Sequence, residues 1–98
     1  AIKLVKKGIE YYNESAYNKA ERYFKKALAE DPQYARAYLY LGNTYYKLEQ
    51  NVEAGDAWTR AVNVDPKSDA SKKAQDKIKA TGHGEMEVIY AQKQYLKR

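Results

Sequence analysis

A single histidine, His83, is the one side chain that titrates near neutral pH unaided, and it stands between Gly82 and Gly84. The chain has no cysteine, and no serine and aspartate are arranged to build a catalytic triad around His83. A thiolate metal site and a His-rich one are excluded on the same counts. His83 reads as an exposed turn residue. Glu85 and Glu87 lie two positions apart, and helical residues at that spacing do not face one another, so they make a poor acid–base pair. They serve better at the N-terminal end of a helix dipole. The five glycines are scattered and form no phosphate-cradling loop. No catalytic residue, metal or cofactor is expected, and the chain reads as a non-enzyme.

Cationic and amide side chains offer a different chemistry. Arg36, Asn43, Lys47, Lys73 and Lys77 could hold carboxylates through charge-assisted hydrogen bonds. The formal net charge is +5, yet it is spread: seven basic and five acidic residues in 1–34, four and four in 35–68, seven and four in 69–98. Lys72, Lys73, Lys77 and Lys79 make the densest patch, which solvated lysines on a helix explain more simply than nucleic-acid binding does. Nucleic acid is not expected as a partner. No apolar run is long enough to span a bilayer. The absence of an initiator Met suggests a processed chain or excised piece, in which case an address signal could have been removed; a soluble protein, cytoplasmic rather than secreted, is expected.

These side chains must be positioned by helices. Glycine and proline number five and two, Ala, Glu, Lys, Leu and Arg are plentiful, and eleven tyrosines stand against one Phe and one Trp. Tyrosine can bury its ring while its hydroxyl stays wet, which suits a thin structure. A shift of thirty-four residues pairs Ala1 with Ala35, Gly8 with Gly42, Tyr11 with Tyr45, Tyr12 with Tyr46, Ala20 with Ala54, Ala27 with Ala61, Asp31 with Asp65 and Pro32 with Pro66. Small residues thus recur where backbones approach, and bulky ones recur at Leu4/Tyr38 and Phe24/Trp58 to fill the gaps between them. Apolar residues spaced three and four apart predict helices near 2–14, 16–30, 35–48 and 52–64, with Ser15 and Asn51 as N-caps and Asp-Pro pairs as stops. The chain divides into units 1–34, 35–68 and 69–98.

The residues Leu4, Gly8, Tyr11, Ala20, Phe24, Ala27 and Pro32, then Tyr38, Leu41, Gly42, Tyr45, Ala54, Trp58, Ala61 and Pro66, resemble the tetratricopeptide repeat, a family of thirty-four-residue helix–turn–helix units. Lys7, Asn51 and Gly55 depart from its pattern. The resemblance implies an all-α fold of antiparallel helix pairs stacked as a short right-handed superhelix. In 69–98 the signature is replaced by Asp76, Lys79 and Val88, so helix 69–80, with its thin stripe of Ala70, Ala74 and Ile78, reads as a terminal cap. A tail helix over 85–97 would either fold back on that cap or reach another molecule about the Gly82/Gly84 hinge.

In such arrays the first helix of each pair lines a concave face, and the resemblance places Ile2, Val5, Ile9, Tyr12, Asn13, Arg36, Leu39, Asn43, Tyr46, Lys47, Lys73 and Lys77 there. The groove would be apolar at its N-terminal end and basic at its far end, a match for a peptide or helix of a partner protein with an acidic end. Some relatives clamp an acidic C-terminal tail of chaperones through Lys and Asn side chains. Asn43, Lys73 and Lys77 fit that clamp, whereas Val5 and Ile9 break it. The implied function is a protein-interaction module. The alternative is a structural unit that forms homo-oligomers through its apolar stripe or tail helix.

Overall fold

The structure, a computed structural model, describes residues 1–82. It consists of α1 (Ile2–Asn13), α2 (Tyr17–Glu30), α3 (Ala35–Lys47), α4 (Asn51–Val64) and α5 (Asp69–Thr81), with no strand among the described residues. His83, Glu85, Glu87 and the expected tail helix over 85–97 lie outside them. Each observed helix ends within a residue of the span predicted from periodicity.

The two helices of each pair pack against each other, α1 on α2 and α3 on α4, and α2 stacks on α3 as α4 does on α5. Close approach within a pair depends on glycine. A Cβ at Gly8 would stand 2.6 Å from Phe24, and one at Gly42 would stand 2.4 Å from Trp58. Both aromatic rings are buried, and each anchors one of two apolar clusters. Val5, Ala20, Phe24, Ala27, Ala37, Leu41 and Ala57 form the first. Ala35, Leu39, Ala54, Trp58, Ala61, Ala70, Ala74 and Ile78 form the second. Small side chains dominate both, so the helices sit close and the large rings fill what remains.

Val5 is wholly buried, which corrects its expected place on an open groove stripe. Both α2 and α3 close over that side of α1, and a stripe counted along one helix does not reveal that two neighbours cover it. Leu4, by contrast, is only half-buried.

The helix starts also differ from expectation. Ala16 and Gln50 occupy the N-cap positions of α2 and α4, and neither Ser15 nor Asn51 caps with its side chain. Ser15 and Glu49 instead take left-handed backbone angles, φ 62° and 61°. Ala16 N–H then donates to Tyr11 C=O at 2.8 Å and Gln50 N–H to Tyr45 C=O at 2.9 Å, the Schellman way of closing α1 and α3. Ser68 does act as an N-cap, accepting from Ser71 N–H at 3.0 Å at the start of α5. Gly82 closes that helix in the left-handed conformation, φ 74°. Gly55 is buried inside α4 without interrupting it.

On α5, Ala70, Ala74 and Ile78 face the core while Lys72, Lys73, Asp76, Lys77 and Lys79 are exposed. α5 thus has one covered apolar face and one wet face.

Candidate functional site

The first helices of successive units lie side by side, with α3 touching both α1 and α5. Where the N-terminal ends of α3 and α5 meet the turns before them, they form a half-open cavity of about 440 Å³. Ala35, Leu39 and Ala70 supply its apolar wall, and Tyr34 and Tyr40 its aromatic one. Arg36 and Lys73 bring positive charge, opposed by Asp31, Asp65 and Asp69 on the turn side. The recess is therefore bipolar.

Its aromatic wall is braced from behind. The Tyr40 ring stacks on buried Phe24 at 5.9 Å and meets Tyr12 edge-on at 6.2 Å. The Arg36 guanidinium lies 5.8 Å over Tyr40, one helical turn away, and that contact restricts an otherwise exposed side chain. Asp31 uses one carboxylate oxygen to accept from Gln33 N–H at 3.1 Å, which shapes the turn at the cavity's edge.

Tyr12 also packs edge-on against Tyr17, at 5.5 Å. Burial pushes its hydroxyl pKa up, and Tyr17 and Tyr40 add to the rise, so Tyr12 is a neutral hydrogen-bonding group at physiological pH. Asn43 is half-buried and its Oδ1 accepts from Trp58 Nε1–H at 3.0 Å. That bond turns the amide nitrogen of Asn43 away from Trp58, where it can donate. Tyr46 is 44% exposed, with its ring 5.8 Å from that of Trp58.

Of the other residues singled out from the sequence, Ile9 is half-buried against the first cluster, while Asn13, Lys47 and Lys77 are exposed. The structure brings Arg36, Leu39 and Lys73 to one cavity and leaves Lys77 outside its lining. Leu39 is 4% exposed and belongs to the second cluster as much as to the cavity. The cationic end foreseen for the groove carries three carboxylates beside Lys73. Sequence reasoning missed Tyr34, Tyr40 and these aspartates. Asp31 and Asp65 were visible as a repeat-related pair but read as helix stops, and the Arg36/Tyr40 spacing of four was the available sign of a stacked pair. Ile2 is 61% exposed beside Leu4 and Tyr34 in a separate, open depression.

A stack of antiparallel helix pairs with first helices on one side and a recess between them defines a helical-repeat protein of the solenoid class. The comparison with protein families is specific: residues 11–78 match the tetratricopeptide repeat, and the chain belongs to that family. Repeats of this family generally mediate protein–protein interaction and are typically not enzymes. No curated protein matches the chain. Among the described residues, no helix is long and apolar enough to cross a membrane, and no group of three or more His, Asp or Glu side chains could hold a metal ion.

Proposed function

We propose that the chain receives an extended segment of a partner protein along its concave face, anchored in the cavity between α3 and α5. The observation that carries this reading is the convergence of Arg36, Leu39 and Lys73 on one recess of about 440 Å³, a size that holds one or two side chains. An apolar side chain of the segment would rest on Leu39 and Ala70. Its carboxylate neighbours would pair with Arg36 and Lys73, and Asp31, Asp65 and Asp69 would favour a cationic or amine group on the turn side. Farther along, Ile9, Tyr12, Asn13, Asn43, Tyr46, Lys47 and Lys77 would extend the contact, with the Asn43 amide nitrogen donating to a ligand carbonyl or carboxylate. Acidic segments with one apolar anchor are the favoured ligand class.

Leu39→Glu is a poor test, because a carboxylate placed at a 4% exposed core position unfolds the site as well as blocking it. Arg36 and Lys73 are exposed and can be changed with the fold intact. Screening a labelled peptide library by fluorescence anisotropy, and then repeating the best binders with Arg36→Glu/Lys73→Glu, gives the test. We expect a loss of roughly tenfold or more, about 1.4 kcal/mol, with helicity unchanged by circular dichroism. Unchanged affinity in the double variant would remove the cavity from the account.

A further inference from the structure

Thirty-four residues relate the outer side of α1–α2 to the side of α3–α4 that stacks on the preceding pair. On α3–α4 that side is apolar and covered: Ala37, Leu41 and Ala57 join the cluster of Ala20, Phe24 and Ala27, and Thr44 beside them is wholly buried. The corresponding positions on α1–α2 hold Lys3, Lys7, Tyr23 and Glu10, of which the three charged residues are exposed and Tyr23 is half-buried. A further unit stacking in the same register would have to bury Lys3, Lys7 and Glu10, at a desolvation cost that no apolar contact there offsets. This side of α1–α2 is charged where its counterpart on α3–α4 is apolar.

What it presents is an ordered set of cations. The Tyr11 and Tyr23 rings lie 5.3 Å apart. Lys7 and Lys19 sit over Tyr11 at 5.4 and 5.5 Å, and Lys26 sits over Tyr23 at 5.1 Å. Glu10 pairs with Lys7 at 3.6 Å, and among the described residues no carboxylate lies within ion-pair distance of Lys19 or Lys26. Lys3 is exposed one helical turn before Lys7 on the same stripe of α1. Holding the ammonium groups on rings reduces the side-chain entropy lost when an anion binds.

We propose that this face of α1–α2 is a docking surface for an acidic protein segment, a run of Asp and Glu side chains, separate from the concave cavity. Charge complementarity selects an anionic polymer. The rings favour a protein segment over a nucleic acid, because Tyr11 and Tyr23 are already engaged by each other and by lysines and are less available for stacking on a base. Side-chain carboxylates need only the ammonium groups.

The test measures anisotropy of a labelled short peptide of alternating Asp and Glu with the full chain. Lys7→Gln/Lys19→Gln/Lys26→Gln is compared with Lys67→Gln/Lys72→Gln/Lys79→Gln, which removes the same charge from exposed positions outside both proposed sites. We expect the first variant to weaken binding roughly tenfold and to flatten its salt dependence, and the second to change it less than about threefold. Equal loss in both variants, or loss in neither, overturns the proposal. So does tighter binding of an oligothymidylate of equal charge, which would make the face a nucleic-acid surface. Lys19→Glu alone, with helicity checked by circular dichroism, repeats the test if the triple variant is poorly folded, and unaltered peptide affinity in it also overturns the proposal.

Discussion

At Gly42 a missing side chain decides the packing of a whole helix pair. A Cβ there would approach Trp58 Cδ1 to 2.4 Å and Nε1 to 2.5 Å, distances that real contacts do not reach. The indole is only 1% exposed and is tied to Asn43 through Nε1, so it has nowhere to retreat without breaking that bond. Gly42→Ala should cost about 1–3 kcal/mol or more, read as a lower urea midpoint at unchanged slope. It should also weaken any ligand that depends on Asn43. Tyr12 supplies a second residue-scale prediction. Its folded pKa is raised above the ordinary 10.0, so folded and unfolded chains are both protonated below that value and stability there is complete. As pH rises, the unfolded chain loses the proton first, and stability falls until the folded hydroxyl has also titrated. Melting temperatures taken from about pH 8 to about pH 11 should therefore drop further for the native chain than for Tyr12→Phe. Lys25, whose pKa is raised chiefly by its hydrogen bond to Glu21 and also by Tyr45, acts in the same alkaline direction but is largely exposed, so part of the drop persists in the variant.

The helices themselves were legible because their signals are local: apolar spacing gave their extent, and Asp-Pro and Gly82 marked where three of them stop. Their starts were less legible. A side chain such as Ser15 or Asn51 looks like an N-cap by type, yet the tight reversal after α1 and α3 spends one residue in the left-handed region, which moves the cap to Ala16 and Gln50. Ser15 and Glu49 have a Cβ that resists that conformation, whereas glycine does not. Ser15→Gly and Glu49→Gly should each raise stability by about 0.5–1 kcal/mol, the relief of strain exceeding the added freedom of the unfolded chain. Chemical denaturation of the two single variants checks this. A fall in stability for both would mean that the turns tolerate side chains without strain.

Across the whole molecule, the candidate site was only partly readable, because its parts come from neighbouring units. Arg36 and Lys73 could be placed on one side of an array from their spacing, but the turn aspartates and Tyr34 join them only when α3 and α5 are set side by side. The same dependence on neighbours governs stability. The described part of α5 packs chiefly on α4 and α3, through Ala70, Ala74 and Ile78, and neither apolar cluster links it to α1 or α2. Ile78 is 2% exposed and is the one large aliphatic side chain that α5 contributes to the core. Ile78→Ala should cost about 2–5 kcal/mol, and in a stack of nearest-neighbour contacts that loss should not be shared equally. Amide exchange should accelerate first along α5, then in α4 where Trp58 and Ala61 lose their cover, and least in α1 and α2. Lys73 sits on α5, so ligand binding in the cavity should weaken in step with that local opening, while peptide binding to the Lys7/Lys19/Lys26 face should persist. Uniform acceleration across all five helices would instead show one cooperative unit, in which the two faces could not be lost separately.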